Sequence, residues 1–330
     1  MTTIAKRALV AGLAGVALVL SGCASGSIDG GETPEEPTTG ELTQVTYGLF
    51  PSSTVAALQV AIDEGIFEAH GIDLELVVGA GSSAAQLPAL TSGELDFMLA
   101  SPVTALTASA QGLDVRIVTG VTQNDPDTVE DSTAVIVGAG STIERPRDLA
   151  GKTVSINALG SVGEIGIREA VELDGGDSST ITFVQLSFPE VAAQLEAGQI
   201  DAGMAGTPFM QQVLGAGGSV VSDFIHETGL GGNELVSIAS GQLVDSDAAL
   251  VVQFYEAMTE ALAFLRENND LVRAAMPEVL GTDPAVAERA TLSIYDASLD
   301  LDTIQLFADL LFKYEIVETE PDVAAVVWQP

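Results

Sequence analysis

A seven-residue pattern that occurs twice constrains this chain more than any other feature. Leu90-Thr91-Ser92-Gly93-Glu94-Leu95-Asp96 and Leu195-Glu196-Ala197-Gly198-Gln199-Ile200-Asp201 both read L-x-x-G-x-L/I-D, and every matched position is offset by the same 105 residues (90 to 195, 96 to 201). Each copy runs through an alanine, Ala100 or Ala205, to a proline, Pro102 or Pro208. Physically, each copy is a helix that ends at a glycine, turns, and feeds a strand. The far end of that strand meets a new helix opened by proline, which loses no hydrogen bond in the first turn. Two lobes built on one supersecondary plan are therefore expected.

The surrounding pattern agrees. Short apolar runs at 45–50, 72–78, 95–100 and 115–121 read as strands, with helices through Glu64, to about Ser92, and from Pro102. The alternation restarts with strands at 153–157, 181–186 and 200–205, separated by helices at 161–173 and 190–198. A helix over 208–214 follows, then strands at 220–224 and 235–240. Strands alternating with helices predict an α/β fold with parallel sheets. Beyond 245 the chain reads as helical: Asp245 is a candidate cap, and Leu250, Phe254, Met258, Leu262 and Leu265 share one face. Asp302 is the candidate cap of a last helix carrying Ile304, Phe307, Leu311 and Tyr314. These stripes read as core. In open α/β sheets ligands sit beyond the carboxyl ends of strands, so two such lobes predict a cleft.

The first residues read as a targeting segment. Lys6 and Arg7 precede an apolar stretch from Ala8 to Leu20, too short for the about 20 residues that span a bilayer. Leu20-Ser21-Gly22-Cys23 resembles a bacterial lipobox, which implies removal of residues 1–22 and a lipid on Cys23. Cys23 is the only cysteine, so no disulfide within the chain is possible. Residues 24–41 are rich in Gly, Ser, Thr, Pro and acids, and 23–41 read as a lipidated, flexible tether. The expected location is the outer face of the cytoplasmic membrane, at the cell surface or in the periplasm.

Composition excludes some functions. The 47 Asp and Glu against 11 Lys and Arg give a net charge of −36, a surface that repels phosphate backbones, so no nucleic acid partner is expected. Only His70 and His226 are present, with no G-x-S-x-G elbow or H-E-x-x-H helix, so no transition-metal site and no enzyme are expected. Gly79-Ala80-Gly81-Ser82-Ser83-Ala84 formally fits a dinucleotide fingerprint, but the next strand lacks an acid at its end, so no cofactor is expected. Asn124-Asp125-Pro126-Asp127 and Glu130-Asp131 lack the glycine and spacing of a calcium loop and read as a solvated acidic loop.

A resemblance to a known family rests on Ala61-Ile62-Asp63-Glu64-Gly65-Ile66-Phe67, Gly71-Ile72-Asp73-Leu74, Arg147-Asp148-Leu149-Ala150-Gly151-Lys152-Thr153-Val154 and the two copies of the repeat. In order and spacing these resemble the extracytoplasmic solute-binding proteins of ABC importers. The nearest group handles nitrate, sulfonates, taurine and thiamine-pyrimidine precursors (SsuA/THI5-like, NMT1-like). The likeness covers about residues 45–215; after 235 only the helical pattern agrees. It implies a two-lobed periplasmic-binding-protein-like fold of type II, a hinge, and docking of a monomer onto a membrane permease. Lobe one would take residues 42–138 and 232–330, and lobe two 139–231.

Strand ends and the family pattern together give the candidate ligand residues. They are Phe50, Ser53, Ser82, Ser83 and Ser101 from lobe one, Asn157, Ser161, Thr207 and Phe209 from lobe two, and Asn233 at the return crossing. Each Ser or Thr reads equally well as a helix cap, and Phe50 and Phe209 as core. None of these loops carries Lys or Arg. That favours a small organic solute with an apolar body, such as a sulfonate, pyrimidine or aromatic compound, over a bare oxyanion. A tethered solute sensor on the same fold is the alternative reading, and an exported paired-carboxylate hydrolase a weaker one.

Overall fold

The structure is a computed structural model, and it describes residues 42–79, 83–124, 133–206 and 209–330. The targeting segment, Cys23, the tether, Ser82, Thr207 and most of the acidic loop lie outside the described residues.

The strands are β1 (Thr43–Leu49), β2 (Ile72–Val78), β3 (Phe97–Ala100), β4 (Val115–Gln123), β5 (Ala134–Val137), β6 (Thr153–Ile156), β7 (Thr182–Gln185), β8 (Ala202–Ala205), β9 (Ser219–Ser222), β10 (Asn233–Ser240) and β11 (Ile294–Tyr295). They form a six-stranded sheet, β11-β4-β10-β3-β1-β2, and a five-stranded sheet, β7-β6-β8-β5-β9. Apart from the short β11, the two sheets have one plan. In the first, β1 lies parallel to β2 and β3, and β10 runs antiparallel between β3 and β4. In the second, β6 lies parallel to β7 and β8, and β5 runs antiparallel between β8 and β9.

The repeat is thus a repeat of structure. Gly93 and Gly198 both take left-handed backbone (φ 79° and 64°), the conformation that ends a helix, and both copies feed the central strands β3 and β8. Every residue of β3, β5 and β8 is buried, as strands covered on both faces must be. Edge strand β2 alternates buried and exposed positions over its first half.

Three expectations need correction. The sheets are mixed rather than parallel, because β10 and β5 enter antiparallel after the chain changes sheets. Strand β5 belongs to the second sheet, although the sequence placed residues through 138 with the first. Its four apolar residues are too few for periodicity to mark. The caps are also displaced by two residues. The side chain of Asp247, not Asp245, accepts the N–H of Leu250 (3.1 Å), and Asp300, not Asp302, accepts those of Asp302 and Thr303 (both 3.2 Å). Where acids stand two apart, composition alone does not choose between them.

The 20-residue helix Ala248–Glu267 has the length and hydropathy of a membrane span, yet one face lies in the core. Its Phe254 stacks on Phe97 of β3, with ring centroids 3.7 Å apart, and Leu250, Met258, Leu262 and Leu265 are buried beside it. Helix Leu301–Lys313 buries Ile304, Phe307 and Leu311 in a cluster that draws on both sheets, including Ile117 and Val236 of the first and Val135 and Val154 of the second. Arg168 forms a salt bridge to Glu164 at 2.7 Å, and its guanidinium lies over the Phe183 ring.

Candidate functional site

Two adjoining chambers open where the carboxyl ends of both sets of strands meet. Ser101 and Leu235 line both chambers.

The smaller has a volume of about 640 Å³ and brings together Phe50 after β1, Ser83, Ser101 after β3, and Asn157 and Ser161 after β6. Half the candidate residues thus meet in one place. Their hydroxyls are not equivalent. Ser101 caps helix Pro102–Ala110, its Oγ accepting the Thr104 N–H at 3.2 Å. Thr104 Oγ1 lies 3.0 Å from Ser101 Oγ and 3.1 Å from Ser83 Oγ, so the three hydroxyls form a chain. Ser161 precedes helix Val162–Leu173 but accepts no helix N–H through its side chain; its Oγ donates to Asn157 Oδ1 at 3.3 Å. The first turn of that helix therefore offers main-chain donors to a ligand. Gly163 lets this turn sit against β8, since a Cβ there would lie 2.4 Å from Met204 Sδ. One turn further along the opposite helix, Thr107 Oγ1 is buried without a hydrogen-bond partner.

The larger chamber, of about 1020 Å³, is lined by Ser52, Asn124 and Glu234 near the first sheet and by Phe188, Gly206 and Gln211 near the second. Met276, Val286 and Arg289 contribute from the C-terminal helical region. Ser52 stands here rather than Ser53, which is the first residue of helix Ser53–Asp63; the Ser52 Oγ is buried and unpartnered. Glu234 Oε2 accepts the Thr122 hydroxyl at 2.9 Å. Burial, and secondly the Glu234 charge, push up the phenol of Tyr295.

Asn233 also lines this chamber, but both ends of its amide are engaged. It donates to the Ser298 carbonyl at 2.8 Å and accepts the Asp300 N–H at 2.7 Å, so it fastens the C-terminal segment to β10. Phe209 opens helix Phe209–Gly215 and packs on the cluster of Ala134, Ile136, Val191 and Val213, the core alternative for that residue. Sequence reasoning missed Ser52, Phe188, Glu234 and Arg289. Ser52 precedes its helix by one residue and had a local signal. Phe188, three residues past β7 and first in helix Phe188–Glu196, and Glu234, next to Asn233 at the start of β10, had the same strand-end signal; Arg289, in the C-terminal helical region, had none.

Paired sheets of this strand order, with a cleft across their strand ends, have the periplasmic binding protein fold. The chain belongs to the NMT1/THI5-like family, whose model matches residues 52–270. Among curated proteins it is similar to the formylaminopyrimidine-binding protein of Halalkalibacterium halodurans, at 26% identity over 239 residues, covering 70% of this chain and 68% of the relative. Among solved structures it resembles the alkanesulfonate-binding protein SsuA of Xanthomonas axonopodis pv. citri, bound to MOPS (TM-score 0.69, 21% identity, 88% of this chain and 100% of that one). It also resembles the periplasmic aliphatic sulphonate-binding protein SsuA of Escherichia coli (TM-score 0.71, 19% identity, 87% and 98%).

Proposed function

We propose that this protein is the solute-binding component of an ABC uptake system, that it binds without chemical conversion, and that it delivers its solute to a membrane permease. The observation that carries the reading is the cleft, whose lining comes from the strand ends of both sheets. A ligand that touches both sets of strand ends favours their approach, with the chain between β9 and β10 as a hinge segment. On this reading the lobes are 42–133 with 232–330, and 134–231. Export as a lipoprotein anchored through Cys23, acting as a monomer, completes the proposal; the lipobox and the acidic tether support it.

The solute is an organic molecule with neutral polar groups and an apolar body. Ser83, Ser101, Asn157 and Ser161 offer it neutral hydrogen bonds, and Phe50, Phe188 and Leu235 offer apolar surface. The named relative that binds formylaminopyrimidine supports a heteroaromatic ring. A thermal-shift panel of aminopyrimidines, sulfonates, taurine, nitrate, bicarbonate and aromatic carboxylates tests this. A neutral or aromatic organic compound is expected to stabilise the fold. Stabilisation by nitrate or bicarbonate alone contradicts the organic-solute reading, and silence across the panel contradicts the solute class.

A further inference from the structure

The larger chamber contains a cation, the guanidinium of Arg289, that no sequence pattern pointed to. Arg289 follows the short helix Pro284–Ala287 and is the only Lys or Arg lining either chamber among the described residues. Arg116, Arg145, Arg168, Arg266, Arg273 and Lys313 each have a carboxylate within ion-pair distance. Arg289 has no such partner among the described residues, in a chain where 47 acids face 11 bases. Arg147 and Lys152 likewise have no carboxylate within ion-pair distance among the described residues, but they line neither chamber; Arg289 stands exposed at the chamber's edge, where its guanidinium is available to an arriving anion.

The remaining surroundings restrict what that anion is attached to. Glu234 lines the same chamber with one carboxylate oxygen held by Thr122. A negative group there is repelled, so the anion belongs on the Arg289 side. Phe188, Met276, Leu230 and Val286 make the wall largely apolar, and Val286 is 53% exposed at its edge. No charged side chain of the described residues lines the smaller chamber. At about 1020 Å³ the larger chamber alone reaches the upper end of the range of roughly 300–1,000 Å³ for organic-ligand sites.

The geometry points to a two-part solute: a neutral hydrogen-bonding head in the smaller chamber, and an apolar body that ends in a carboxylate-type oxyanion at Arg289. This rests on the binding function proposed above and adds the length and charge of the solute. Arg289 and Glu234 then set charge selectivity: the first attracts the anionic end and the second repels it.

Matched probes with a neutral hydrogen-bonding head test the inference: isothermal titration of the full chain with 3-(4-carbamoylphenyl)propionate and 5-(4-carbamoylphenyl)valerate, and with the side-chain amide of each. The wild type is expected to prefer carboxylate over amide at least fivefold, and the longer acid over the shorter. Arg289→Gln should abolish the carboxylate preference, Arg289→Lys should restore most of it, and Glu234→Gln should tighten acid binding severalfold. Unchanged melting temperatures keep these changes apart from misfolding. Equal affinity for acid and amide, a preference that survives Arg289→Gln, or no binding of either acid overturns the inference. If a compact solute from the thermal-shift panel binds while both acids do not, the two-part solute fails and the binding function stands.

Discussion

The carboxylate of Asp96 holds Thr46 at two points, accepting its backbone N–H and its hydroxyl, each at 2.8 Å. In return the Asp96 N–H donates to the Thr46 carbonyl at 3.2 Å. The second sheet repeats the arrangement: Asp201 accepts the Thr153 N–H at 2.8 Å and donates its own N–H to the Thr153 carbonyl at 2.9 Å. The invariant aspartate of the internal repeat therefore ties the entry of β3 or β8 to its parallel neighbour, β1 or β6. In both sheets this fixes the relative heights of the strand ends that build the cleft.

Removing these ties should cost stability unequally. Asp96→Ala breaks two charge-assisted hydrogen bonds at a half-buried site and is expected to cost about 1.5–3 kcal/mol. Asp201 is exposed and accepts one backbone N–H there, so Asp201→Ala should cost about 0.5–1.5 kcal/mol. Urea unfolding of both variants measures the order; equal losses would contradict it.

Ser101 and Ser161 should separate stability from binding. Ser101→Ala removes a helix cap and is expected to destabilise by about 1 kcal/mol. Ser161 makes no capping bond, so Ser161→Ala should leave the melting temperature nearly unchanged while weakening solute affinity by about 0.5–1.5 kcal/mol. Melting curves and titrations of the two variants check this. Loss of stability without loss of affinity in Ser161→Ala would make that residue structural.

Gly120 is held by close approach. A Cβ there would lie 2.3 Å from the Ser298 carbonyl oxygen and 2.7 Å from that of Asp296, both main-chain atoms that cannot rotate aside. Gly120→Ala should displace the segment that Asn233 fastens and destabilise the protein by about 1–3 kcal/mol. Chemical denaturation gives the cost, and a neutral result would mean that the segment yields freely.

The cap at Asp300 should give an acid-sensitive contribution. The Thr303 hydroxyl at 2.7 Å is the main cause, opposed by burial and aided by the Thr303 and Asp302 N–H groups, and together they hold the Asp300 carboxyl below its ordinary value. A carboxyl lowered by folding stabilises above its unfolded pKa, about 3.9, and loses that contribution as pH falls through the folded value. The stability gap between wild type and Asp300→Asn should therefore be constant from about pH 7 to 5 and shrink below about pH 4. Urea midpoints across that range test it, and a gap that widens in acid would reverse the assignment.

The sequence made legible whatever was local. Gly93, Gly198 and Pro102 marked helix boundaries because their backbone preferences act within a few residues, and the apolar stripe from Leu250 to Leu265 marked a core face. The chamber built by Phe50, Ser83, Ser101, Asn157 and Ser161 followed from strand-end logic, since each lies within a few residues of a strand end or helix start. Phe188 and Glu234 stand at strand ends of the same kind and were passed over, whereas Arg289 stayed hidden because it reaches the cleft through packing of a C-terminal segment far from the strands in the chain. Asn233 shows the opposite failure: its position was legible, but its two hydrogen bonds depend on Ser298 and Asp300, more than 60 residues away.

Isothermal titration with the most stabilising compound of the solute panel tests the central claim most directly, provided the compound is recovered afterwards. The account predicts saturable binding of one solute per chain, with the solute recovered unchanged. At about 100 times its dissociation constant such a ligand adds about 2.7 kcal/mol to stability. Binding that does not saturate at one per chain, or recovery of a chemically altered product, would contradict it.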